Sequence, residues 1–407
     1  MGTFIIDGGV PLVGTVRVSG SKNAALPVIF ASLTADGVSE IISLPDISDV
    51  RKALDIVRFF GARVERSGDV TYIDARDVRY TSPPQSLVSE LRASTYLIGA
   101  SLSRFGRAEL MQYGGCNFSR RPIDMHIAAA MSFGADLCGD ELVCRSLHSS
   151  DISFSKRSVG ATVNSLIMAA GTPGTSRIYG YACEPHIDTL IEFLSSMGAV
   201  IESSSECLTV RGASHRGGKV AIPGDMIEAG TFLALSSVTG GDIRVEGVRL
   251  SELSSFISNL SSSGVSVSYE GGAVAAFGLP RKEIDIVTGP YPDFPTDLQP
   301  IIAPVLALGR GGSICDTVWE GRFGYLSELS RLGLSYTVSS GRAEIYPSVI
   351  SSGEACALDL RGGAACIISA LSAVGTSRIT SGEVLLRGYE RLAEKINELG
   401  GRVRYEK

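Results

Sequence analysis

The feature of this chain that most restricts its fold is a pattern that occurs six times. Each copy has an amphipathic helical stretch, then a glycine, then a run that alternates like a β-strand. A glycine in this place is typical of a helix that ends in the left-handed conformation. The six glycines, spaced about 64 to 73 residues apart, are Gly61, Gly134, Gly198, Gly264, Gly333 and Gly400. Such regular spacing indicates a repeated supersecondary unit.

A second position recurs about 36 to 42 residues before each glycine, where a small or polar stretch opens an almost wholly apolar run. Its six residues are Lys22, Arg92, Ser158, Glu228, Asp297 and Arg361. A helix that is apolar all round is buried, so each unit is predicted to have one buried and one more exposed helix. Free N–H groups at helix starts attract anions. Several such starts around one cleft would form an anion-binding site.

Six units favour an α/β protein of two similar lobes with three units each and a cleft between them. The alternative is one open solenoid. It is less favoured, because solenoid repeats are usually about 20 to 45 residues long.

The composition is that of a globular protein, with an excess of glycine that is mostly structural. The chain has 47 glycines in 407 residues, and helix ends and hairpin turns account for most of them. A hydrophobic content of 44% excludes a disordered chain. A net charge of -6 excludes a nucleic-acid binder by overall charge, although not local basic pockets.

The cysteines and histidines predict neither a metal site nor a disulfide framework. Eight cysteines are scattered without a Cys-x-x-Cys pair, and the four histidines lack ligand spacing. The N-terminus lacks a secretory signal, and no apolar run is long enough to span a membrane. We therefore expect a cytoplasmic protein that does not bind membranes.

Two segments carry candidate reactive groups near glycines. In SGSKNAALP, Lys22 lies between a glycine turn and an apolar helix, which favours a phosphate ligand over a solvated lysine. Further on, Gly114 and Gly115 predict a mobile loop with Cys116 at its tip. Neighbouring arginines lower the pKa of a thiol, so the pair at 120 and 121 favours a reactive Cys116 over a packed one.

Three further residues are candidates for charge chemistry. Asp297 in FPTDLQ is either a helix cap or a general base. Arg361 opens a predicted buried helix, and Arg387 precedes one. Both have adjacent glycines that allow close approach of a ligand, and arginine forks suit phosphate and carboxylate groups. The alternative for both arginines is a surface position.

Taken together, these motifs resemble the enolpyruvyl transferase family from end to end. The motifs that carry the resemblance are SGSKNAALP, LRAS at 91–94, GGC followed by RPIDMHI, SVGAT at 158–162, EAGTF at 228–232, FPTDLQ, TVWEGRF at 317–323 and RGYE. The resemblance implies a two-domain inside-out α/β barrel of six βαβαββ units. It implies one lobe of residues 22–224 and a second of residues 1–21 and 225–407, with the active site in the cleft between them.

The implied reaction transfers the enolpyruvyl group of phosphoenolpyruvate to the 3'-hydroxyl of UDP-N-acetylglucosamine, releasing phosphate by addition and elimination. This would be the first committed step of peptidoglycan synthesis. The resemblance implies small-molecule substrates, no metal or organic cofactor and no nucleic acid, and it leaves the oligomeric state open.

The resemblance also assigns roles to individual residues. Cys116 would be the general acid, and Asp297 would be the base at the sugar hydroxyl. The phosphoenolpyruvate ligands would be Lys22, Asn23, Arg121, Arg361 and Arg387. The nucleotide-sugar ligands would be Arg92, Arg121, Pro122, Ile123, Asp124, Met125, Lys156, Arg157, Ser158, Val159 and Val318.

Two alternatives remain open at this stage. One is the related enzyme that makes 5-enolpyruvylshikimate-3-phosphate, against which the cysteine loop and RPIDMH argue. The other is a non-catalytic paralogue that binds UDP-sugars, against which the intact Lys22, Cys116, Asp297 and Arg387 argue.

Overall fold

The chain divides into two compact units. The computed structural model describes residues 2–114, 122–213, 216–319 and 321–407. The nested unit consists of residues Gly20–Pro223, and the terminal unit consists of Met1–Ser19 with Gly224–Lys407. The chain therefore passes twice from one unit to the other, at residues 19–20 and 223–224.

The terminal unit begins with two strands before the chain enters the nested unit. These are β1 (Thr3–Gly8) and β2 (Val13–Arg17). The helices of the nested unit are α1 (Lys22–Ala31), α2 (Ser48–Phe59), α3 (Gln85–Val88), α4 (Leu97–Phe105), α5 (Asp124–Ser132), α6 (Val159–Ala170) and α7 (Pro185–Ser196). Its strands are β3 (Val38–Ile42), β4 (Arg63–Ser67), β5 (Val70–Asp74), β6 (Arg107–Glu109), β7 (Asp136–Cys138), β8 (Glu141–Val143), β9 (Asp151–Ser153), β10 (Gly174–Tyr179), β11 (Val200–Ser203), β12 (Cys207–Gly212) and β13 (Lys219–Ala221).

The remainder of the terminal unit repeats the same kinds of element. Its helices are α8 (Met226–Thr239), α9 (Ser254–Ser262), α10 (Gln299–Leu308), α11 (Tyr325–Ser330), α12 (Leu360–Ser372) and α13 (Leu392–Glu398). Its strands are β14 (Asp242–Glu246), β15 (Ser266–Glu270), β16 (Ala273–Phe277), β17 (Ile284–Thr288), β18 (Gly312–Asp316), β19 (Ser335–Ser339), β20 (Arg342–Tyr346), β21 (Glu354–Cys356), β22 (Gly375–Thr380) and β23 (Val403–Glu406). Short 3-10 helices span Ser32–Thr34, Arg92–Tyr96, Leu250–Leu253, Thr296–Leu298 and Gly382–Arg387.

Each unit contains three small sheets, as six repeats in two lobes require. The orders are β13-β3-β5-β4, β6-β8-β7 and β11-β12-β10-β9 in the nested unit. The terminal unit has β21-β22-β1-β23, β15-β16-β14-β2 and β17-β18-β20-β19. Every four-stranded sheet has one parallel pair and two antiparallel pairs. The run β17-α10-β18-α11-β19-β20 shows the predicted βαβαββ order directly.

Four repeats depart from the simple pattern. The strand before α1, β2, pairs with β14 in the terminal unit, while β13 takes the corresponding place beside β3 in the nested unit. The last repeat takes its final strand, β1, from the N-terminus. The sheet around β8 has three strands over the described part of the chain. In that repeat the expected first strand falls near Pro83 and Pro84, and prolines cannot donate to a strand ladder.

The apolar helices form the interior of each unit, as predicted. In the terminal unit α8, α10 and α12 contact one another and also contact strands of the surrounding sheets. In the nested unit α4 contacts both α1 and α6. Helices therefore lie inside and sheets outside, but across the described residues the strands stay in separate sheets and do not close into one barrel.

The six repeating glycines end helices as predicted. Their φ angles all lie between 90° and 122°, in the left-handed region that a residue with a Cβ adopts only with strain. This confirms the conformational reason for a glycine at the same place in every repeat.

A buried polar network joins the central helices of the nested unit. Asn164 in α6 accepts a hydrogen bond from the Gly99 backbone N–H at 2.7 Å. Its amide nitrogen donates to the Thr95 carbonyl at 3.0 Å and lies 2.7 Å from Nδ1 of His126. The network therefore connects α4, α5, α6 and the Arg92–Tyr96 turn through one side chain.

The environment of His126 favours the neutral ring. Burial, with a smaller contribution from the positive charge of Arg92, lowers the pKa of His126 to about 4. The side chain is 4% exposed. A neutral ring leaves Nδ1 available as the acceptor for Asn164.

The pKa of His126 predicts a loss of stability in mild acid. Below pH 6.5 the unfolded histidine binds a proton that the folded one does not bind until about pH 4. The favourable contribution is therefore complete above pH 6.5 and is lost towards pH 4, by up to about 3 kcal/mol. Urea unfolding of the wild type and His126→Gln at several pH values measures the difference. His148→Gln, at an exposed histidine of the same unit, is the control and should keep the wild-type dependence. An unchanged pH slope in His126→Gln would contradict the assignment.

Candidate active site

The second recurring position lies at a helix start in every repeat. Lys22 is the first residue of α1, and Ser158 caps α6 with its hydroxyl accepting from the Ala161 backbone. The others lie in the first turn of a helix or in the 3-10 turn before one: Arg92, Glu228, Asp297 and Arg361. This placement makes the free N–H groups of helix starts available beside the charged side chains.

Lys22 is held by a buried carboxylate of the neighbouring helix. Its Nζ lies 3.5 Å from Oδ2 of Asp49 in α2. Lys22 is 13% exposed and Asp49 is 2% exposed, so the lysine is not a freely solvated side chain. Asn23, the next residue of α1, is half-buried. This arrangement leaves Lys22 partly accessible, which a phosphate ligand requires.

Arg92 lies in a partly buried position on the Arg92–Tyr96 turn. Burial lowers the pKa of its guanidinium below the usual value, and Tyr96 and Tyr113 act in the opposite direction. The carbonyl of Thr95 on the same turn accepts the hydrogen bond from Asn164. The buried amide network therefore fixes the turn that carries Arg92.

The other sequence-predicted ligands of the nested unit lie around two helix starts. Pro122 is exposed, Ile123 caps α5, and Asp124 and Met125 begin it. Lys156 and Arg157 are exposed just before Ser158, and Val159 begins α6. Helices α5 and α6 contact each other. Gly115, Cys116 and Arg121 lie outside the described residues, so their predicted roles stay predictions.

The start of the Cys116 segment is packed closely against the backbone. A Cβ added at Gly114 would lie 1.8 Å from the carbonyl oxygen of Ser89. Only glycine fits this approach without movement of the backbone. Gly114 is thus required by close packing, a reason that differs from the mobility predicted from sequence.

Asp297 is the centre of a charged cluster in the terminal unit. Its Oδ1 accepts a hydrogen bond from Nη1 of Arg322 at 2.9 Å, and its Oδ2 lies 3.3 Å from Nη2 of Arg361. Asp297 is 30% exposed, whereas the arginines are 5% and 2% exposed. The carboxylate is therefore the accessible member of the cluster.

Arg361 is fully enclosed but keeps one available donor. Burial lowers the pKa of the Arg361 guanidinium, but Asp297, Tyr389 and Asp225 together raise it by more, so the guanidinium stays charged. Its Nη1 has no hydrogen-bond partner among the described residues. Asp359 caps the helix by accepting from the backbone N–H of Arg361 and Gly362. An unpartnered buried donor of a charged side chain is the kind of group that an anion satisfies.

Arg387 approaches the same helix through its neighbours. It is the last residue of the Gly382–Arg387 turn and does not precede a buried helix, because α13, which follows, is amphipathic. A Cβ at Gly388 would lie 2.6 Å from a methyl group of Leu360, and the ring of Tyr389 lies 5.6 Å from the Arg361 guanidinium. The segment of Arg387 therefore packs on the first turn of α12.

Glu228 occupies the same position in its repeat but serves a different purpose. Its carboxylate accepts hydrogen bonds from Nζ of Lys395 and from the backbone of Ser19. Burial raises the pKa of Glu228 to about 7, more than Lys395 lowers it. Because both side chains are buried, this pair anchors residue 19 of the terminal unit and contributes no accessible charge.

Sequence reasoning missed three residues that position the candidates. Asp49 pairs with Lys22, Arg322 pairs with Asp297, and Asp316 binds the backbone of Val318 at 3.0 Å. The signal for Arg322 was present, since it lies inside the TVWEGRF motif. Asp49 and Arg322 lie 25 or more positions from their partners, and a local sequence pattern does not reveal contacts at that separation.

The described residues contain no group of three or more His, Cys, Asp or Glu side chains that could hold a metal ion. Within the same ranges, no helix is both long and apolar enough to cross a membrane.

Comparisons with known proteins identify relatives along the whole chain. A family model described as EPSP synthase (3-phosphoshikimate 1-carboxyvinyltransferase) matches residues 6–396. UDP-N-acetylglucosamine 1-carboxyvinyltransferase 3 of Caldanaerobacter subterraneus subsp. tengcongensis is 38% identical over 98% of each chain. UDP-N-acetylglucosamine 1-carboxyvinyltransferase of Halothermothrix orenii is 36% identical over 99% of each chain.

Solved structures agree with this relationship. The enolpyruvyl transferase NikO from Streptomyces tendae superposes with a TM-score of 0.89 at 26% identity, covering 100% of this chain and 99% of NikO. EPSP synthase from Acinetobacter baumannii covers both chains fully with a TM-score of 0.73 at 16% identity, which shows a shared fold. With its six-repeat architecture, its charged helix starts and these full-length relatives, the chain belongs to the enolpyruvyl transferase family.

Proposed function

We propose that this enzyme transfers the enolpyruvyl group of phosphoenolpyruvate to the 3'-hydroxyl of UDP-N-acetylglucosamine and releases phosphate. The observation that carries the proposal is the accessible Asp297 carboxylate held between two buried arginines at a helix start. This cluster places a carboxylate base beside arginine side chains that can bind an anion. The full-length relatives named for this activity favour the nucleotide sugar as acceptor.

The proposed reaction needs an acid that protonates C3 of phosphoenolpyruvate and a base that removes the proton of the sugar hydroxyl. A proton adds to C3 of phosphoenolpyruvate while the sugar oxygen attacks C2 and loses its proton. The tetrahedral adduct then loses phosphate from C2 and a proton from C3. Arg, Lys and helix N–H groups stabilise the anionic groups throughout, which is the main catalytic contribution expected for such chemistry.

Asp297 is suited to respond to the binding of an anion. Its charge is balanced by Arg322 and Arg361. An anion that binds the free donor of Arg361 would take a share of its positive charge. Asp297 would then accept the proton of the 3'-hydroxyl more readily, because a nearby positive charge weakens a carboxylate as a base.

The other roles follow from the family assignment. We assign Cys116 as general acid and Lys22, Asn23, Arg121, Arg361 and Arg387 as phosphoenolpyruvate ligands. We assign the nucleotide sugar to Arg92, to residues 121–125 and 156–159, and to Val318. The product would enter peptidoglycan synthesis, and the cytoplasm is the compartment we expect.

The principal competing function is synthesis of 5-enolpyruvylshikimate-3-phosphate. The description of the matching family model favours it. The relatives at 36% to 38% identity bear the other name, and EPSP synthase of known structure is 16% identical. The nucleotide sugar is therefore the better supported acceptor.

Phosphate release with each acceptor tests the proposed function. With phosphoenolpyruvate present, UDP-N-acetylglucosamine should support steady phosphate release and shikimate-3-phosphate should not. Asp297→Asn should lower kcat by about 100-fold or more, because it removes the base. Asp285→Asn, at an exposed carboxylate on β17, is the control. Phosphate release with shikimate-3-phosphate but not with the nucleotide sugar would contradict the proposed acceptor. Phosphate release with neither acceptor would refute the activity.

Alkylation by the epoxide fosfomycin tests the role of Cys116. The adduct should form on Cys116, and Cys116→Ser should abolish both labelling and turnover. The matched control is Cys138→Ser, which removes an exposed cysteine and should leave both unchanged. Peptide mapping by mass spectrometry locates the adduct. An adduct on Cys138, or normal turnover of Cys116→Ser, would contradict the assignment.

A further inference from the structure

A buried carboxylate outside the assigned site connects two of its segments. Asp316 is the last residue of β18 and is 3% exposed. Its Oδ2 accepts a hydrogen bond from the Thr296 hydroxyl at 2.7 Å. Its Oδ1 accepts from the Thr288 hydroxyl at 2.8 Å and from the backbone N–H groups of Val318 and Trp319 at 3.0 and 2.9 Å.

The Oδ2 side leads to the base. The hydroxyl oxygen of Thr296 accepts from Nη1 of Arg322 at 3.1 Å, and the same nitrogen donates to Oδ1 of Asp297 at 2.9 Å. A continuous chain of hydrogen bonds therefore runs from Asp316 through Thr296 and Arg322 to Asp297. Because the Thr296 proton is donated to Asp316, its oxygen is left to accept from Arg322.

The Oδ1 side leads to the segment of Val318. The Thr288 hydroxyl donates to Asp316 and accepts from the Thr317 backbone N–H at 3.1 Å. The Thr317 hydroxyl donates to the Thr288 carbonyl at 2.6 Å. These bonds fix the backbone of residues 317–319 to the ends of β17 and β18.

We propose that Asp316 is a positioning residue that holds the base and the nucleotide-sugar segment in a fixed relation. One carboxylate oxygen orients Asp297 through Thr296 and Arg322, and the other orients Val318. The inference rests on the proposed function, because it assigns Val318 to the sugar nucleotide and Asp297 to its hydroxyl. A side chain with two oxygen acceptors serves both sides, whereas an amide has only one.

Kinetics of single variants separate this role from general stabilisation. Thr296→Val removes the relay to Asp297 and should lower kcat roughly tenfold, with the KM for UDP-N-acetylglucosamine within about twofold. Thr296→Ser keeps the hydroxyl and should restore kcat. Thr288→Val should raise that KM roughly fivefold and leave kcat within about twofold. Asp316→Ala removes both oxygen acceptors and should affect both parameters.

Asp285→Asn is the matched control, because Asp285 is an exposed carboxylate on the strand beside β18. It should leave kcat and KM within about twofold of wild type. If Thr296→Val and Thr288→Val change the same parameter, or neither changes any, the inference is refuted. Should Asp316→Ala not fold, the two threonine variants decide. An active wild type without the split refutes this inference alone, whereas a wild type inactive with the nucleotide sugar refutes the proposed function and this inference with it.

Discussion

The ion pair between Asp297 and Arg361 is the interaction on which the candidate site depends. A guanidinium that is 2% exposed requires a nearby negative charge, and Asp297 supplies it. Removing one partner of a buried pair typically costs about 3 to 5 kcal/mol, whereas replacing the whole pair by apolar residues is often neutral. The cluster is therefore a weak contributor to net stability, and its accessible carboxylate at a helix start fits a role in chemistry.

The repeated architecture provides the places where such charges are tolerated. Each repeat begins a buried helix with polar backbone groups that need partners, and small polar side chains supply them. Ser21, Ser158, Asp225 and Asp359 all accept hydrogen bonds from the first turns of their helices. The residue beside the cap therefore differs in charge from one repeat to the next. Lys22 is partly exposed and Arg361 has one unpartnered nitrogen among the described residues, while Glu228 is paired internally with Lys395.

The sequence predicted the parts of the fold that depend on local patterns. The six glycines and six helix starts follow from side-chain periodicity and from the need for a left-handed residue, and all lie where expected. The pairing of β2 with β14 and of β13 with β3 does not follow, because strand pairing depends on contacts between distant residues. Within the described residues no strand precedes α4, and Pro83 and Pro84 explain this only once the strands of the neighbouring repeats are known.

For the candidate site too, the sequence identified residues but not their contacts. Lys22, Asp297 and Arg361 could be identified from motifs, whereas the contacts that orient them could not. Arg322 lies 25 residues from Asp297, and Arg361 lies 64 residues from it. Asp316 carries no motif of its own, and its importance is visible only from the four hydrogen bonds that meet on its carboxylate.

A crystal structure with UDP-N-acetylglucosamine bound tests the central claim most directly, which is that this charged cluster presents Asp297 to the acceptor hydroxyl. The account predicts the 3'-hydroxyl oxygen at about 2.6 to 3.2 Å from an Asp297 carboxylate oxygen. The hydrogen bond from Arg322 to Asp297 should be retained. A 3'-hydroxyl beyond the reach of Asp297, bonded to another side chain, would contradict the account.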